Sequence, residues 1–320
     1  MVTNWLAELD GRRVTVEVPA SSANLGAGYD CLAVALGLTN RVEVEVRGWS
    51  RGEIELSVQG EGEDELTQDR ENRCVQGVEA ALRAVRGEMP EGVGWRIEMH
   101  NEIPLARGLG SSAAATVAGL VAGNALLGEP LTSPDLLRLA SEIEGHPDNA
   151  AAALHGGFVV SAAIDGTVEA LRFDAPRDLR AVLFIPDLRL STAEMRSVLP
   201  AKVPRVDAVS NLTRLAIGVA GMAIGRFDLL RVLTVDRLHE QYRAAAFPQL
   251  PRLIQSARDA GAIGACLSGA GSTVIAFSDS VRTITRIEGA FTAASVDTDL
   301  PGKIVVVSPR NQGAQVLDRR

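Results

Sequence analysis

The sequence predicts an α+β protein built from two domains. The chain has 320 residues, which is more than a single compact core usually accommodates. Runs of alternating apolar and polar residues, typical of half-buried strands, are interleaved with longer stretches that place apolar residues at helical spacing. The pattern changes near residue 165. We therefore expect one domain over residues 1–165 and a second, also α+β, over residues 166–320.

Strand patterns dominate the first half. They cover residues 14–18, 41–47, 54–58, 95–99 and 158–161. In residues 41–47, valines alternate with glutamates, as expected for a strand with one buried face. The glycine-containing segment 48–52 predicts a hairpin between the second and third of these strands.

Helical patterns in the first half cover residues 72–85, 116–127 and 133–144. The last of these has Ser133 in the position of an N-cap, Pro134 at the first helical position and Gly145 as its stop. In the second half, we expect strands at 168–173, 180–185, 273–277 and 304–308, and helices at 192–199, 207–224, 227–233, 251–259 and 281–292.

Composition restricts the classes of function. The apolar content of 46% and the charged content of 22% are ordinary for a folded protein. A net charge of −8 without a dense cluster of Lys and Arg argues against nucleic acid as the main partner. The cysteines Cys31, Cys74 and Cys266 are too widely spaced to predict a disulfide framework or a metal site.

Residues 1–10 contain two acidic side chains and no basic segment followed by an apolar core. This pattern predicts no signal peptide. The chain also contains no uninterrupted apolar run long enough to span a bilayer. We therefore expect a cytoplasmic location and no membrane partner.

The segment with the clearest chemical character is the glycine loop at residues 103–115, between a predicted strand and a predicted helix. Gly108 and Gly110 allow the backbone to approach a ligand closely, and Ser111 and Ser112 are good helix N-caps. The first N–H groups of the helix have no intrahelical partner and can bind an anion. The loop therefore predicts a phosphate site, although an ordinary connection ending in a helix cap fits the local pattern equally well.

Two better-known phosphate motifs do not match this loop. No Gly-Lys-Ser/Thr follows the glycines, so it is not a Walker A loop. The third glycine position of a dinucleotide fingerprint is occupied by Ala113, and no acid follows at the expected distance.

Two further loops are rich in small residues, at 24–30 and 268–273, and a polar tetrad occupies 146–149. Taken with the glycine loop, their order and spacing resemble the motif set of the GHMP kinases. Residues 104–114 are close to that family's P-X3-G-L-G-S-S-A-A phosphate motif. The resemblance extends over most of the chain. It implies a two-domain GHMP-kinase fold, with a ribosomal-S5-domain-2-like N-terminal domain and a ferredoxin-like C-terminal domain.

Within this family, residues 19–30, 144–149 and 239–243 resemble the homoserine kinase branch. That branch transfers the γ-phosphate of ATP to the hydroxyl of L-homoserine, which gives O-phospho-L-homoserine and ADP for threonine synthesis. Two positions depart from the family pattern, because Gln241 and Ser272 stand where many relatives have proline. We expect both departures to change loop stiffness more than chemistry.

The resemblance implies ATP and Mg²⁺ as the nucleotide and its cation. The implied ATP contacts are Asn72, Pro104, Leu105, Ala106, Arg107, Gly108, Leu109, Gly110, Ser111, Ser112, Ala113, Ala114 and Thr192. Ser112 and Glu144 match the family's Mg²⁺ ligands, and oxygen ligands of this kind suit Mg²⁺. Without the family, a helix cap and a surface acid would be the simpler interpretations of the two residues. Glu142, near the same helix end, is the competing carboxylate.

An amino-acid substrate needs partners for its carboxylate and its ammonium group. Arg196 and Arg243 match the family's carboxylate-binding arginines, and an arginine fork suits a carboxylate. Asp30 matches the ammonium partner, and Asn24 matches a polar substrate contact. A surface ion pair is the alternative role for each arginine.

The remaining implied site residues lie near the reacting hydroxyl. Asn149 matches the residue nearest that hydroxyl, and His146 shapes the substrate pocket. Asp148 lies where the mevalonate branch has its catalytic base, whereas the homoserine branch works by positioning and charge stabilisation. We hypothesise that Asp148 orients the site, and we assign the catalytic set to Asn149, Asp148 and Arg196.

Two other functions remain open on the sequence. Another GHMP kinase, acting on mevalonate or a sugar, would share the phosphate loop, although the two arginines and Asp30 favour a zwitterion. A non-catalytic nucleotide- or amino-acid-binding regulator on the same fold would not need both Ser112 and Glu144. Homodimers are common in the family, and nothing in this chain indicates one directly.

Overall fold

The computed structural model describes residues 8–47, 52–87 and 92–320. It confirms the predicted α+β class. The strands are β1 (Arg13–Ala23), β2 (Leu32–Arg47), β3 (Ile54–Gly60), β4 (Gly94–Asn101), β5 (Phe158–Ile164), β6 (Thr167–Phe173), β7 (Arg180–Pro186), β8 (Gly264–Leu267), β9 (Val274–Ser278), β10 (Gly302–Val307) and β11 (Gln315–Arg319).

The helices are α1 (Arg73–Arg86), α2 (Ser111–Leu126), α3 (Ser133–Glu144), α4 (Asp148–His155), α5 (Thr192–Ser197), α6 (Arg205–Ala223), α7 (Leu230–Leu233), α8 (Glu240–Arg243), α9 (Leu250–Asp259) and α10 (Val281–Asp297), with a 3₁₀ turn at Phe227–Leu229. Among the described residues, no helix is both long enough and apolar enough to cross a membrane.

Among the described residues, seven strands form the larger sheet, in the order β11-β1-β2-β4-β3, with the β5–β6 hairpin attached to β2. The long strand β2 pairs with β1 along one edge. Along its other edge, its first part pairs with β5 and its second part with β4. The register between β1 and β2 shifts after Pro19. This shift lets β1 continue toward the loop that begins at Asn24.

The predicted hairpin between residues 41–47 and 54–58 is wrong. Strand β4 pairs antiparallel with β2 and parallel with β3, so it lies between the two strands. Both strands have the alternating pattern of a half-buried strand, and that pattern does not identify a partner. A parallel pair requires a crossover, which α1 supplies. Residues 48–51 of the expected turn lie outside the described residues.

Helices α1 to α4 lie against the larger sheet. Helices α1 and α2 approach each other closely through glycine, because a Cβ atom at Gly119 would lie 2.0 Å from the Cys74 carbonyl oxygen. Helix α3 begins as a capping box in which Thr132 and Asp135 exchange hydrogen bonds. The N-cap is therefore Thr132 rather than the predicted Ser133. Helix α4, which carries the polar tetrad's last two residues, was not predicted.

The smaller sheet has the antiparallel order β10-β7-β9-β8 and is packed against α9 and α10. Its core includes Phe184, Phe247, Phe291 and Leu253, all of which are buried. The strand β6 continues the larger sheet, and β11 returns to that sheet beside β1. Strand pairings therefore cross residue 165, and the division of the chain into 1–165 and 166–320 stays a prediction.

Candidate active site

A cavity of about 820 Å³, counting its open mouth, lies between the glycine loop, the first turns of α2, α4 and α5, and the loop before β9. Most of the predicted site residues line it. These are Asn24, Asp30, Pro104, Ala106, Arg107, Gly108, Leu109, Gly110, Ser111, Ser112, Ala113, Glu144, His146, Asp148, Asn149, Thr192, Arg196 and Arg243. The structure therefore brings together residues that lie up to about two thirds of the chain apart.

The glycine loop has a backbone that only glycine adopts readily at two positions. Gly108 and Gly110 have φ angles of +73° and +70°. A Cβ atom at Gly108 would lie 2.1 Å from the carbonyl oxygen of Ser268, and one at Gly110 would lie 2.1 Å from Ser21 Oγ. The glycine loop is therefore in direct contact with the loop at 268–273 and with Ser21. Residues larger than glycine would separate these parts.

The start of α2 presents backbone donors to the cavity. The first intrahelical hydrogen bond runs from the Ala114 amide to the Gly110 carbonyl, at 2.9 Å. The amides of Ser111, Ser112 and Ala113 precede it and have no acceptor within the helix. All three residues line the cavity. This helix end can therefore bind a phosphate group through backbone N–H groups and the helix dipole.

Three residues of the predicted ATP set are absent from the cavity lining in the described part of the chain. Asn72 caps α1, because its side chain accepts a hydrogen bond from the Cys74 amide at 2.9 Å and donates one to the Thr67 carbonyl at 3.0 Å. Ala114 is fully buried on the inner side of α2. Leu105 lies in the loop beside the lining residues but does not itself line the cavity.

Ser112 and Glu144 lie side by side at the edge of the cavity. The Ser112 hydroxyl donates to Glu144 Oε1 at 3.0 Å, and the Thr116 hydroxyl donates to the same oxygen at 2.6 Å. The Glu144 side chain is only 7% exposed. Glu142 instead points outward and accepts a hydrogen bond from Arg138 at 2.6 Å. Glu144 lines the cavity and Glu142 does not. The arrangement therefore favours Glu144 as the carboxylate that could hold a cation beside a phosphate group.

Arg196 and Asp30 face the cavity as a bidentate ion pair. The two guanidinium nitrogens donate to the two carboxylate oxygens at 2.9 and 2.8 Å, and Arg196 also donates to the Tyr29 hydroxyl at 2.9 Å. The hydrogen bonds to Asp30 raise the pKa of the Arg196 guanidinium. A cation and an anion therefore stand next to each other at the wall of the cavity.

Arg243 is the second cation of this wall and is buried. It donates to the Gly269 carbonyl at 2.9 Å, and its guanidinium lies 5.5 Å from the centre of the Tyr29 ring. Burial and the neighbouring Arg196 lower the pKa of Arg243, against the opposing effects of Tyr29 and Asp30. A ligand carboxylate would relieve the cost of burying this charge.

The polar tetrad continues into the first turn of α4. His146 Nδ1 lies 2.7 Å from Asp148 Oδ1, and this hydrogen bond raises the pKa of His146. Asp148 is buried and also accepts a hydrogen bond from the Asn149 amide at 2.7 Å. The Asn149 side chain accepts one from the Ser21 hydroxyl at 2.9 Å. Each side chain that faces the cavity here is held by a partner.

The two departures from the family pattern have ordinary structural roles. The Ser272 hydroxyl donates to the Leu188 carbonyl, which ties the loop before β9 to the loop before α5. Gln241 is exposed and donates to the Arg237 carbonyl at 2.9 Å.

Sequence reasoning assigned no role to several residues that complete the site. They are Tyr29, which contacts both arginines, Ser21, which holds Asn149, Thr116, which holds Glu144, and Gly269, whose carbonyl faces Arg243. Thr116 lies one helical turn after Ser112, and this spacing could have identified it. The contacts of the other three cross between distant segments and have no local signal.

Two family models match the chain. Residues 74–157 match the GHMP kinases N terminal domain, and residues 193–295 match the GHMP kinases C terminal domain. Together the two matched segments contain the glycine loop, the polar tetrad, Arg196 and Arg243.

The sequence is also similar to named proteins over most of its length. It is 41% identical over 302 residues to a homoserine kinase from Moorella thermoacetica, with 94% of this chain and 99% of that protein covered. It is 43% identical over 275 residues to a homoserine kinase from Corynebacterium efficiens, with 84% and 86% covered.

Solved structures share the fold. The crystal structure of homoserine kinase from Cytophaga hutchinsonii superposes with a TM-score of 0.82 at 28% identity and covers 95% of this chain and 97% of its own. A mevalonate kinase from L. major in complex with R-mevalonate has a TM-score of 0.62 at 15% identity, with 93% and 95% covered. The second likeness shows a common fold alone.

Proposed function

This chain belongs to the homoserine kinase family of the GHMP kinases, and we propose that it transfers the γ-phosphate of ATP to the side-chain hydroxyl of L-homoserine. The products are O-phospho-L-homoserine and ADP, in a step of threonine biosynthesis. The protein is an ATP-dependent phosphotransferase with an alcohol acceptor.

The observation that carries the choice of substrate is the ion pair between Arg196 and Asp30 at the cavity wall. The two groups neutralise each other. A zwitterionic amino acid can separate them and take both places, since its carboxylate suits Arg196 and its ammonium suits Asp30. Arg243 is positioned to share the carboxylate. A neutral sugar would leave this ion pair intact and gain nothing from its charges. A simple carboxylate would take Arg196 and leave Asp30 without a partner, which is costly in a half-buried site.

The phosphates of ATP bind at the N-terminus of α2. The free amides of Ser111, Ser112 and Ala113 supply donors that are fixed before the nucleotide arrives, and fixed donors stabilise charge that develops during transfer. Arg107 lines the same side of the cavity and adds a positive charge. Thr192, at the first position of α5, also lines the cavity and would contact the nucleotide.

The cation is Mg²⁺, and the residues present fit it. Ser112 and Glu144 place a hydroxyl and a carboxylate oxygen 3.0 Å apart beside the phosphate-binding amides. Mg²⁺ in such sites uses one or two protein oxygens together with phosphate oxygens and water. When bound, it would neutralise phosphate charge. Thr116 would keep Glu144 oriented.

The chain's own residues then position the acceptor. The hydroxyl oxygen of homoserine forms a bond to the γ-phosphorus as the bond between that phosphorus and the β,γ-bridging oxygen breaks. Asn149 lies nearest the hydroxyl, and Asp148 fixes both Asn149 and His146 through hydrogen bonds at 2.7 Å. In this proposal, the hydroxyl proton leaves with the transferred phosphoryl group, and Asp148 orients the site.

A cytoplasmic location fits this function, because ATP and amino-acid precursors are available there. The three cysteines are free in the structure, as expected for a reducing compartment. A homodimer stays a proposal that rests on the family alone.

A coupled ADP-release assay with ATP and Mg²⁺ tests the function. L-homoserine is compared with mevalonate, galactose, L-serine and no acceptor. We expect turnover to favour L-homoserine strongly. Arg196→Ala and Arg243→Ala should each raise the KM for homoserine about 10- to 100-fold, the effect of losing charged hydrogen bonds. Arg252→Ala, an exposed arginine paired with Asp297, is the matched control.

Other outcomes would replace the proposal. Turnover with mevalonate or galactose would keep the phosphate site but overturn the roles of the arginines and Asp30. ATP binding without ADP release for any acceptor would indicate a non-catalytic binding protein on the same fold.

A further inference from the structure

The part of the cavity wall formed by Asp30, Arg196 and Arg243 is called the substrate wall below. His239 is a buried histidine that contacts this wall but does not line the cavity. It is fully buried at the start of α8, one turn before Arg243. One ring nitrogen, Nε2, lies 2.9 Å from the Gly26 carbonyl oxygen, and the other, Nδ1, lies 3.1 Å from an Arg243 nitrogen. The ring therefore contacts both the loop that carries Asp30 and the arginine that faces the carboxylate.

The partners of this ring fix its proton. A carbonyl oxygen only accepts hydrogen bonds, and a guanidinium only donates them. Nε2 must therefore carry the hydrogen that it donates to Gly26, while Nδ1 accepts from Arg243. This is the neutral form of histidine. Burial agrees with it, since it lowers the pKa of His239 to about 4 despite the nearby Asp236.

The two hydrogen bonds close a ring of contacts around the substrate wall. Arg243 donates to the Gly269 carbonyl at 2.9 Å, and the Asn24 side chain donates to the same carbonyl at 2.7 Å. Asn24 Oδ1 in turn accepts from the Asp30 amide at 3.0 Å. This closed chain of hydrogen bonds begins and ends in the loop at 24–30. Its members, in order, are Gly26, His239, Arg243, Gly269 and Asn24.

The loop at 24–30 also has contacts that do not belong to this ring. A Cβ atom at Gly26 would lie 2.5 Å from the Thr234 backbone, and the Ala27 amide donates to the Leu233 carbonyl at 2.9 Å. The Tyr29 ring lies 5.3 Å from the His239 ring. Within this set of contacts, the His239 side chain is hydrogen-bonded directly both to the loop that carries Asp30 and to the guanidinium of Arg243.

We propose that His239 is a positioning residue for homoserine: by bridging the Gly26 carbonyl and Arg243, it sets the spacing between the ammonium-binding Asp30 and the carboxylate-binding Arg243. This inference rests on the proposed function. It concerns the amino-acid side of the cavity and not the phosphate side.

Two substitutions separate this role from a general role in folding. His239→Leu fills similar space but removes both hydrogen bonds, and we expect the KM for homoserine to rise about 10- to 100-fold. The KM for ATP should stay within about twofold, because neither hydrogen bond of His239 is made to the glycine loop. His239→Gln can still donate to Gly26 and should recover most of the loss. Gln241→Ala, an exposed neighbour on α8, is the matched control.

The assay distinguishes the possible failures. If the wild-type enzyme does not turn over homoserine, the proposed function fails before the variants are compared. If the wild type is active, an unchanged homoserine KM in His239→Leu, or equal rises in both KM values, overturns the positioning role. If thermal denaturation shows that His239→Leu does not fold, His239→Asn takes its place, because asparagine is too short to reach Gly26. We again expect a raised KM for homoserine and an unchanged KM for ATP.

Discussion

At the scale of single residues, the site is built from polar groups that hold one another in fixed orientations. Glu144 accepts from both Ser112 and Thr116, and Asn149 accepts from Ser21. Such preorganisation reduces the reorganisation needed when a charged ligand binds. The consequence can be tested at individual side chains.

Glu144→Gln should weaken the response to Mg²⁺. The substitution keeps the shape and a carbonyl oxygen but removes the charge, so the Mg²⁺ concentration for half-maximal rate should rise by about tenfold or more. Titrating the rate with MgCl₂ at saturating homoserine measures this. Glu142→Gln is the matched control, since that carboxylate is 59% exposed and paired with Arg138. Equal behaviour of the two variants would remove Glu144 from the cation site.

The pair of His146 and Asp148 predicts a pH-dependent contribution to stability. Its hydrogen bond raises the pKa of His146 above the ordinary value of 6.5. The contribution is therefore fully present below about pH 6.5 and is lost as the pH rises through the raised pKa. An NMR titration of the His146 ring should show a midpoint above 6.5 in the wild type and a lower one in Asp148→Asn.

The same variant distinguishes orientation from base catalysis. If Asp148 orients the site, Asp148→Asn should lower kcat moderately and raise the KM for homoserine, and His146→Ala should also raise that KM. Near-complete loss of turnover with intact binding of ATP and homoserine would instead make Asp148 the base. Unchanged kinetics in His146→Ala would exclude His146 from the substrate pocket.

At the scale of elements, the glycine loop and the start of α2 depend on close contact with their neighbours. Gly110 combines a φ of +70° with a position where a Cβ atom would meet Ser21 Oγ, and Ser21 holds Asn149. Any residue with a Cβ atom at this position would therefore meet both backbone strain and a steric clash.

Gly110→Ala should reduce kcat/KM by about 100-fold, because displacement of Ser21 also moves Asn149 away from the acceptor. Gly128→Ala is the matched control. Its φ is +82°, but nothing lies within 4 Å of the added Cβ atom. That variant should lose only about 1 kcal/mol of stability and keep its kinetics. Steady-state kinetics with thermal denaturation of both variants checks the difference, and equal kinetics would contradict it.

Local patterns predicted most elements, and they failed where the deciding contact is remote or where a second local contact competes. The alternation in residues 41–47 predicted a strand but not that β4 would lie between it and β3. The capping residue Thr132 differs from the predicted one by a single position, because a Thr–Asp pair competes with Ser133. Strands β8 and β11 are short and were not predicted.

The site followed the same rule. The family motif predicted 18 of the 24 residues that line the cavity. It also included Asn72, whose side chain caps α1 instead. The pairing of Arg196 with Asp30 joins residues 166 positions apart. No spacing rule reaches that far, so only the folded structure shows it.

At the scale of the whole molecule, the change of stability with pH should include a contribution from the carboxyl group of Glu240. Burial raises the pKa of Glu240 to about 8. Its Oε1 atom accepts a hydrogen bond from the Leu267 amide at 2.7 Å. The folded protein therefore binds a proton here that the unfolded chain releases above its ordinary value of 4.5. Between about pH 4.5 and pH 8, this group makes the protein less stable as the pH rises.

Glu240→Gln should remove that dependence, since an amide keeps an acceptor for Leu267 without a titrating proton. The Tm of the variant minus the Tm of the wild type should become more positive from pH 5 to pH 8. Glu288→Gln, at a partly exposed position of α10, is the control. A Tm difference that does not change with pH would contradict the proposed protonation.

The two sheets are joined in an order that differs from the order of the sequence. Strand β11 comes after β10 of the smaller sheet, yet it pairs with β1 and contributes hydrogen bonds between Arg13 and Arg320 at 2.8 and 3.0 Å. During synthesis on the ribosome, the outer edge of β1 therefore stays unpaired until the smaller sheet has been made. A growing chain with an open strand edge is exposed to pairing with other chains. The time during which nascent chains can pair through β1 thus extends until the last strand, β11, is made and covers that edge.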